Sequence, residues 1–207
     1  MSKQSNISDA AIILASASPR RLDLLNAIGI DFGVVPSTVE EDYINGESPQ
    51  EHVCRLALAK ATEVCGRFPH KWILGADTIV VIDGNILGKP FDRQEAVEML
   101  TRLNSRTHEV FTGYAIINVG LPGNEKVGYV RSEVYIRKLS PAEITAYVDT
   151  GEPMDKAGAY AIQGVGAGIV ERISGSYTNV VGLPLCEVAR DLKDLGIFDF
   201  LAEGPKK

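Results

Sequence analysis

The residues able to do chemistry in this chain are cations and carboxylates set in separate short motifs, beginning with Ser16-Ala-Ser-Pro-Arg-Arg21. That motif follows the apolar run Ile12-Ile-Leu-Ala15 and precedes Leu22, Leu25 and Ile28 at helical spacing, with Gly29 placed to end the helix. The segment reads as a short strand, a turn and a helix with Ser18 at the N-cap and Pro19 at the first helical position. A helix N-terminus at the end of a strand presents free backbone N–H groups and the positive end of a dipole. With the hydroxyls of Ser16 and Ser18 and the cations of Arg20 and Arg21, the chemistry on offer is the binding of an anion, phosphate above all.

The carboxylates supply the second half of the inventory. Asp77 interrupts Leu74-Gly-Ala-Asp-Thr-Ile-Val-Val81, a run that otherwise reads as strand core. A carboxylate there is costly unless it is paired, bound to a metal or at a strand end. Asp77 is thus either a cap on a neighbouring turn or a metal ligand or general base at the carboxyl edge of a sheet. Glu40-Glu41-Asp42 is either a solvated acidic turn or a source of one hard-metal ligand working with Asp77. Lys60 falls on the apolar side of its helix beside Leu56 and Ala57, as a snorkelling lysine or as a cation turned into a phosphate cleft. Gly88-Lys-Pro90 is a turn and not a P-loop, because three residues instead of four separate Gly84 from Gly88 and Lys89 is followed by proline. Gln163 stands in a Gly- and Ala-rich stretch, 156–168, that does not match G-x-G-x-x-G; its amide offers donor and acceptor to a base edge, or it is an ordinary loop residue. No Ser-His or Cys-His pairing suggests a covalent route.

Positioning these groups requires a mixed α/β fold. Beyond the first helix, 31–35 reads as a strand and 37–47 as an acidic loop. Ser48-Pro-Gln-Glu51 and Ser140-Pro-Ala-Glu143 are capping boxes that start two further helices. Residues 72–76 and 78–82 read as strands separated by Asp77, 86–88 as a short return strand after Asp83-Gly84, and 93–103 as a helix. Long strands over 109–119 and 126–137 flank a Gly/Pro/Asn turn at 120–124, 169–173 is a strand, and a last helix covers 183–195. Helices and strands alternate before a hairpin intervenes, which favours a mixed sheet over a regular doubly wound one. Residues 11–198 are expected to form a single domain of two lobes, with tails at 1–10 and 199–207.

Composition narrows the partners. The 207 residues carry a formal net charge of −6, so a broad nucleic-acid-binding face is not expected, and cations for a polyanionic substrate must be gathered locally. Cys54, Cys65 and Cys186 form no C-x-x-C pair, and the polar start of the chain lacks the form of a signal peptide, which points to the reducing cytoplasm. No apolar run reaches the length of a membrane span, and His52, His70 and His108 lack zinc spacing, leaving a hard cation on carboxylates as the metal to expect.

Seven ordered motifs together resemble the Maf family: Ser16-Ala-Ser-Pro-Arg-Arg21, Glu40-Glu41, Ala59-Lys-Ala61, Gly75-Ala-Asp-Thr78, Gly88-Lys-Pro90, Asp155-Lys-Ala-Gly-Ala-Tyr160 with Ile162-Gln-Gly164, and Gly175-Ser-Tyr177 with Val181-Gly-Leu-Pro184. The resemblance spans 12–195. It implies an inosine-triphosphatase-like fold, an elongated mixed sheet flanked by helices with two lobes around a cleft. It also implies a hydrolase that cuts the α–β phosphoanhydride of a nucleoside triphosphate, with Mg²⁺ or Mn²⁺ as cofactor. The Gly158-Ala-Tyr-Ala-Ile-Gln-Gly164 segment is similar to the family's pyrimidine branch, which implies dTTP and UTP as substrates. By the same resemblance Asp77 is the proton acceptor with Glu41 its partner at the metal, Ser16, Arg21, Lys60 and Lys89 are phosphate or catalytic contacts, and Arg20, Thr78 and Gln163 bear on substrate choice. A homodimer is common in that family. Two rival functions are a non-catalytic nucleotide-binding regulator of septum formation and a purine-directed inosine triphosphatase.

Overall fold

A computed structural model describes residue 7, residues 10–121, residue 123 and residues 125–203. Of the tails expected at 1–10 and 199–207, residues 1–6, 8–9 and 204–207 lie outside the described residues, as do positions 122 and 124 of the hairpin turn. One seven-stranded sheet, flanked by helices, carries the fold. Its strands are β1 (Ile12–Leu14), β2 (Phe32–Val34), β3 (Trp72–Ile82), β4 (Asn85–Leu87), β5 (Thr107–Ile117), β6 (Lys126–Ile136) and β7 (Val170–Ser174), in the order β2-β1-β3-β5-β6-β7 with β4 paired to β3. The sheet is mixed: β1 runs parallel to β2 and β3, while the β3–β4 and β6–β7 pairs are antiparallel. The helices are α1 (Pro19–Ile28), α2 (Pro49–Arg67), α3 (Arg93–Leu103), α4 (Pro141–Asp149), α5 (Tyr177–Val181), α6 (Leu185–Asp194) and α7 (Phe200–Glu203). No helix among the described residues is long and apolar enough to cross a membrane.

The local rules that start these helices hold in detail at two of them. Ser48 and Ser140 each accept from the backbone N–H three residues on, and Glu51 and Glu143 return a carboxylate to the cap, completing both capping boxes. At α1 the outcome differs. Ser18 occupies the N-cap position, but its side chain makes no capping bond, and its N–H instead donates to Ser16 Oγ at 3.2 Å. Gly29 ends α1 in the left-handed conformation, as expected. The helix expected over 183–195 is α6; a short helix the sequence reading lacks, α5, precedes it, and Gly182 (φ 129°) and Pro184 interrupt the helical path between the two.

The chain divides into two compact units: 1–77 with 112–129 and 182–207, and 78–111 with 130–181. Alternation along short buried strands builds the first unit's core on both faces of its sheet. Ile12, Leu14 and Leu74 pack with Leu25, Phe32, Leu183 and Leu192, while Ile13, Ala15 and Ile73 pack with Ala57, Ala61 and Val64 of α2. The second unit buries Val80, Leu100, Val134, Ile136, Val148 and Tyr160 in one cluster.

A histidine inside that second core contributes to the loss of stability on the acid side. His108 on β5 is 2% exposed, and its Nε2 lies 2.7 Å from the Tyr160 hydroxyl. Burial pushes its pKa down to about 4. The unfolded chain, with a His pKa of about 6.5, therefore binds a proton that the folded chain refuses between these values, so stability falls as pH drops through that window. Native protein is expected to lose about 2.5 kcal/mol more than a His108→Leu variant between pH 7.5 and 4.5. Urea unfolding of both proteins at the two pH values measures the difference, and equal losses would place the acid sensitivity elsewhere.

Candidate active site

In the first unit, α2 lies across the face of β3 that carries Ile73, Gly75 and Asp77. A Cβ on Gly75 would stand 2.2 Å from the Ala57 carbonyl oxygen and 2.9 Å from the Ala61 nitrogen, so only glycine lets the helix backbone settle this close to the strand. A Cβ on Gly113 of β5 would likewise stand 2.3 Å from the Val53 carbonyl oxygen, so α2 beds on two glycines. Between Ala57 and Ala61 the same helix face presents Lys60. Its side chain does not snorkel to solvent; it runs inward to the next outward step of β3, where Asp77 stands.

That meeting explains the one element that departs from expectation at the site. β3 is continuous from Trp72 to Ile82, with Asp77 in its middle and 4% exposed, where two strands separated by Asp77 are expected. The charge is tolerated because it is paired: Lys60 Nζ donates to Asp77 Oδ1 at 2.7 Å and to Glu41 Oε1 at 2.5 Å. Lys60 is itself 6% exposed, whereas the Glu41 side chain is about half open to solvent. The acidic loop that carries Glu41 is tied back to α2. Arg55 grips the Glu47 carboxylate through Nε at 2.6 Å and Nη2 at 2.8 Å, and Nη2 also donates to the Asp42 carbonyl oxygen at 2.9 Å. The hydrogen bond from Arg55 holds the Glu47 carboxyl down at about 2, so the clasp keeps its charge across the working pH range.

The Ser16–Arg21 turn leaves the carboxyl end of β1, where Leu14 pairs with Leu74 and the Ala15 N–H donates to the Leu74 carbonyl oxygen at 2.8 Å. Asp77 lies further along β3 in the same direction, so turn and carboxylate are both beyond that strand end. Arg21 Nη1 donates to Ser16 Oγ at 3.0 Å and Nε to the Gly182 carbonyl oxygen at 2.8 Å. Burial pushes the Arg21 guanidinium down from its ordinary value, while the charges of Asp77 and Glu41 oppose that shift and that of Arg20 adds to it. Ser16, Arg20, Arg21, Glu41, Lys60 and Asp77 thus belong to one unit, and Arg21 and Lys60 both feel the two carboxylates. What this cluster offers chemically is a fixed buried ammonium and a guanidinium beside two hard oxygen donors.

Thr78, Lys89 and Gln163 belong to the second unit. Thr78 follows Asp77 on β3 and so projects from the opposite face of the strand. Lys89 is exposed on the turn after β4, where the Gly88 carbonyl oxygen accepts the Gly158 N–H at 3.0 Å; that bond sets Gly88-Lys-Pro90 against the 155–160 motif. Gln163 is exposed between the 3₁₀ turns Ala157–Ala159 and Gly164–Gly168. The contacts that position these groups escape sequence reading, even where a residue such as Gly182 lies in a motif. Gly182 holds Arg21 from 161 residues away, and the Arg55–Glu47 clasp joins a loop to a helix through side chains that carry no motif of their own. Among the described residues no cluster of three or more His, Cys, Asp or Glu is placed to hold a metal.

Comparison with known proteins agrees with the pattern of motifs. The family model described as Maf-like protein matches residues 11–195. A dTTP/UTP pyrophosphatase of Geobacter metallireducens is 54% identical over 188 residues, covering 91% of this chain and 97% of its own. Proteins of the same name from Syntrophotalea carbinolica (52% over 190 residues, 91% and 86% covered) and Symbiobacterium thermophilum (50% over 186 residues, 89% and 94% covered) are similar to the same extent. The chain belongs to the Maf family. Among solved structures it is similar to the Staphylococcus aureus Ham1 protein (16% identity, TM-score 0.43, 60% of this chain and 71% of that one). It is also similar to a nucleoside-triphosphatase / dITP/XTP pyrophosphatase from Mycobacterium abscessus (17% identity, TM-score 0.43, 89% and 93% covered).

Proposed function

We propose that this protein hydrolyses the α–β phosphoanhydride of dTTP and UTP, releasing the nucleoside monophosphate and pyrophosphate in the cytoplasm. The observation that carries the reading is the buried Lys60 ammonium held between Asp77 and Glu41, in the unit that also holds Ser16 and Arg21. Relatives about half identical over nine-tenths of the chain, all named dTTP/UTP pyrophosphatase, support it.

Anhydride cleavage asks a protein chiefly for charge stabilisation and an oriented water. Asp77 is the proton acceptor for that water, and the bond from Lys60 Nζ fixes where its carboxylate points. Ser16, Arg21, Lys60 and Lys89 contact the phosphates, while Arg20, Thr78 and Gln163 govern the choice of base. Two carboxylate oxygens converging on one cation fit Mg²⁺ or Mn²⁺, which takes one or two carboxylates and completes its shell with substrate phosphates. Asp77 and Glu41 are the residues that would hold it. Held there, a divalent ion would supply positive charge to the anhydride being cut.

Product analysis on a panel of (d)NTPs with Mg²⁺ and with Mn²⁺ tests the proposal. Pyrophosphate and dTMP from dTTP, with ITP turned over far more slowly, is the expected outcome. Orthophosphate and dTDP would mean that a different bond is cut, and a preference for ITP would mean a purine enzyme.

A further inference from the structure

The loop that carries Gln163 is built around a residue outside every motif so far assigned a role. Glu152, in the 3₁₀ turn Glu152–Asp155, receives three donors on one carboxylate. The Tyr147 hydroxyl donates to Oε1 at 2.8 Å, the Gly166 N–H to Oε1 at 2.8 Å, and the Val165 N–H to Oε2 at 2.9 Å. Tyr147 closes the ring by accepting the Ala161 N–H on its hydroxyl oxygen at 3.0 Å. Gln163 is therefore bracketed by backbone amides tied to one side-chain pair. Gly164 confirms how closely the loop wraps the carboxylate: its φ is +65°, and a Cβ there would stand 2.3 Å from Glu152 Oε2. Gln163, Gly164, Val165, Ala167 and Gly168 are all exposed, and the far end of the loop is held by Arg137 Nε, which donates to the Gly168 carbonyl oxygen at 3.0 Å.

We infer that Glu152, oriented by Tyr147, is a positioning residue for base selection, holding the 161–168 loop in the one shape that presents the Gln163 amide to the pyrimidine. The inference rests on the reading of Gln163 as a base contact. Its physical basis is preorganisation: an exposed Gly-rich loop without its carboxylate anchor would order itself at the cost of substrate affinity. An ionised carboxylate accepting two backbone N–H groups is a strong anchor because these bonds are charge-assisted.

The test uses the full chain and the variants Glu152→Ala, Glu152→Gln, Gln163→Ala and the double variant Glu152→Ala/Gln163→Ala. Hydrogen exchange at the Val165 and Gly166 amides reads the anchor directly, and KM and kcat for dTTP and UTP read its consequence. Glu152→Ala is expected to speed exchange at both amides and raise KM about tenfold, with kcat within about twofold of native. Glu152→Gln, which keeps one acceptor oxygen and disturbs folding least, falls between the two. In the Gln163→Ala background the Glu152 change adds little. A purely structural role would instead lower kcat through a smaller active fraction at unchanged KM. Unchanged exchange in both Glu152 variants, or a KM effect of the same size with and without Gln163, overturns the inference. An unchanged KM in Gln163→Ala itself overturns the reading of Gln163 as a base contact, whatever the exchange data show.

Discussion

Asp77→Asn leaves the protein folded and lowers kcat for dTTP by a factor on the order of 10³, with KM within a few-fold of native. Asparagine keeps the shape of the side chain and an oxygen for the Lys60 bond of 2.7 Å, so β3 and α2 have no reason to move. Lys60 retains Glu41, whose Oε1 lies at 2.5 Å, and the ammonium is not left without a counter-charge. What disappears is the carboxylate oxygen proposed to accept a proton from the attacking water, which the proposed function also makes one of two donors to a divalent ion. Circular dichroism and thermal unfolding check the fold, and pyrophosphate release checks turnover. Retention of more than about a tenth of native kcat would remove Asp77 from the proposed role. Because the variant is folded and inactive, septation and growth in cells carrying it also separate a nucleotide-hydrolysing role from a regulatory one: a normal phenotype would favour the regulator.

How far this site was legible in the sequence depends on the distance over which each constraint acts. The capping boxes at Ser48 and Ser140 are complete within four residues, and the structure reproduces both. The mixed sheet follows from alternation and turn signals of similarly short range. Asp77 marks the limit of such reasoning. A lone carboxylate among Ala76, Ile79 and Val80 argues for a break in the strand, and the continuous β3 exists only because a lysine on another element reaches it. Whether Lys60 snorkels or turns inward could not be settled by helical spacing, since both outcomes put it on the same face. The deciding residue is Gly75, whose missing side chain draws α2 onto the strand. Glu152 lay further out of reach still. Nothing in Gly151-Glu-Pro153 announces that its carboxylate organises a loop a dozen residues on, because the bonds are to backbone amides, whose identity leaves no trace in the sequence.

Lys60→Met carries the second large effect, and it separates the electrostatics of the site from its packing. Methionine fills the path of the lysine stem between Ala57 and Ala61 without the charge. Asp77 then keeps its burial of 4% exposure but loses the ammonium that offsets it. Breaking a buried pair by removing one partner costs about 3–5 kcal/mol. The lower end is expected here, because Arg21 and Arg55 also feel the Asp77 charge. Turnover falls at least 100-fold by order of magnitude, since the proposed phosphate contact and the partner of the proposed base go together. Two further measurements distinguish this account from simple loss of packing. The double variant Lys60→Met/Asp77→Asn regains much of the lost stability, because replacing a buried pair costs far less than halving it. The thermal midpoint of Lys60→Met also rises more steeply with Mg²⁺ than that of the native protein, because the oxygens of Asp77 and Glu41 no longer hold an ammonium. If Lys60→Met is as stable as native protein and its thermal midpoint rises with Mg²⁺ no more steeply, the ammonium is not what holds the two carboxylates together, and the proposed chemistry of this site fails with it.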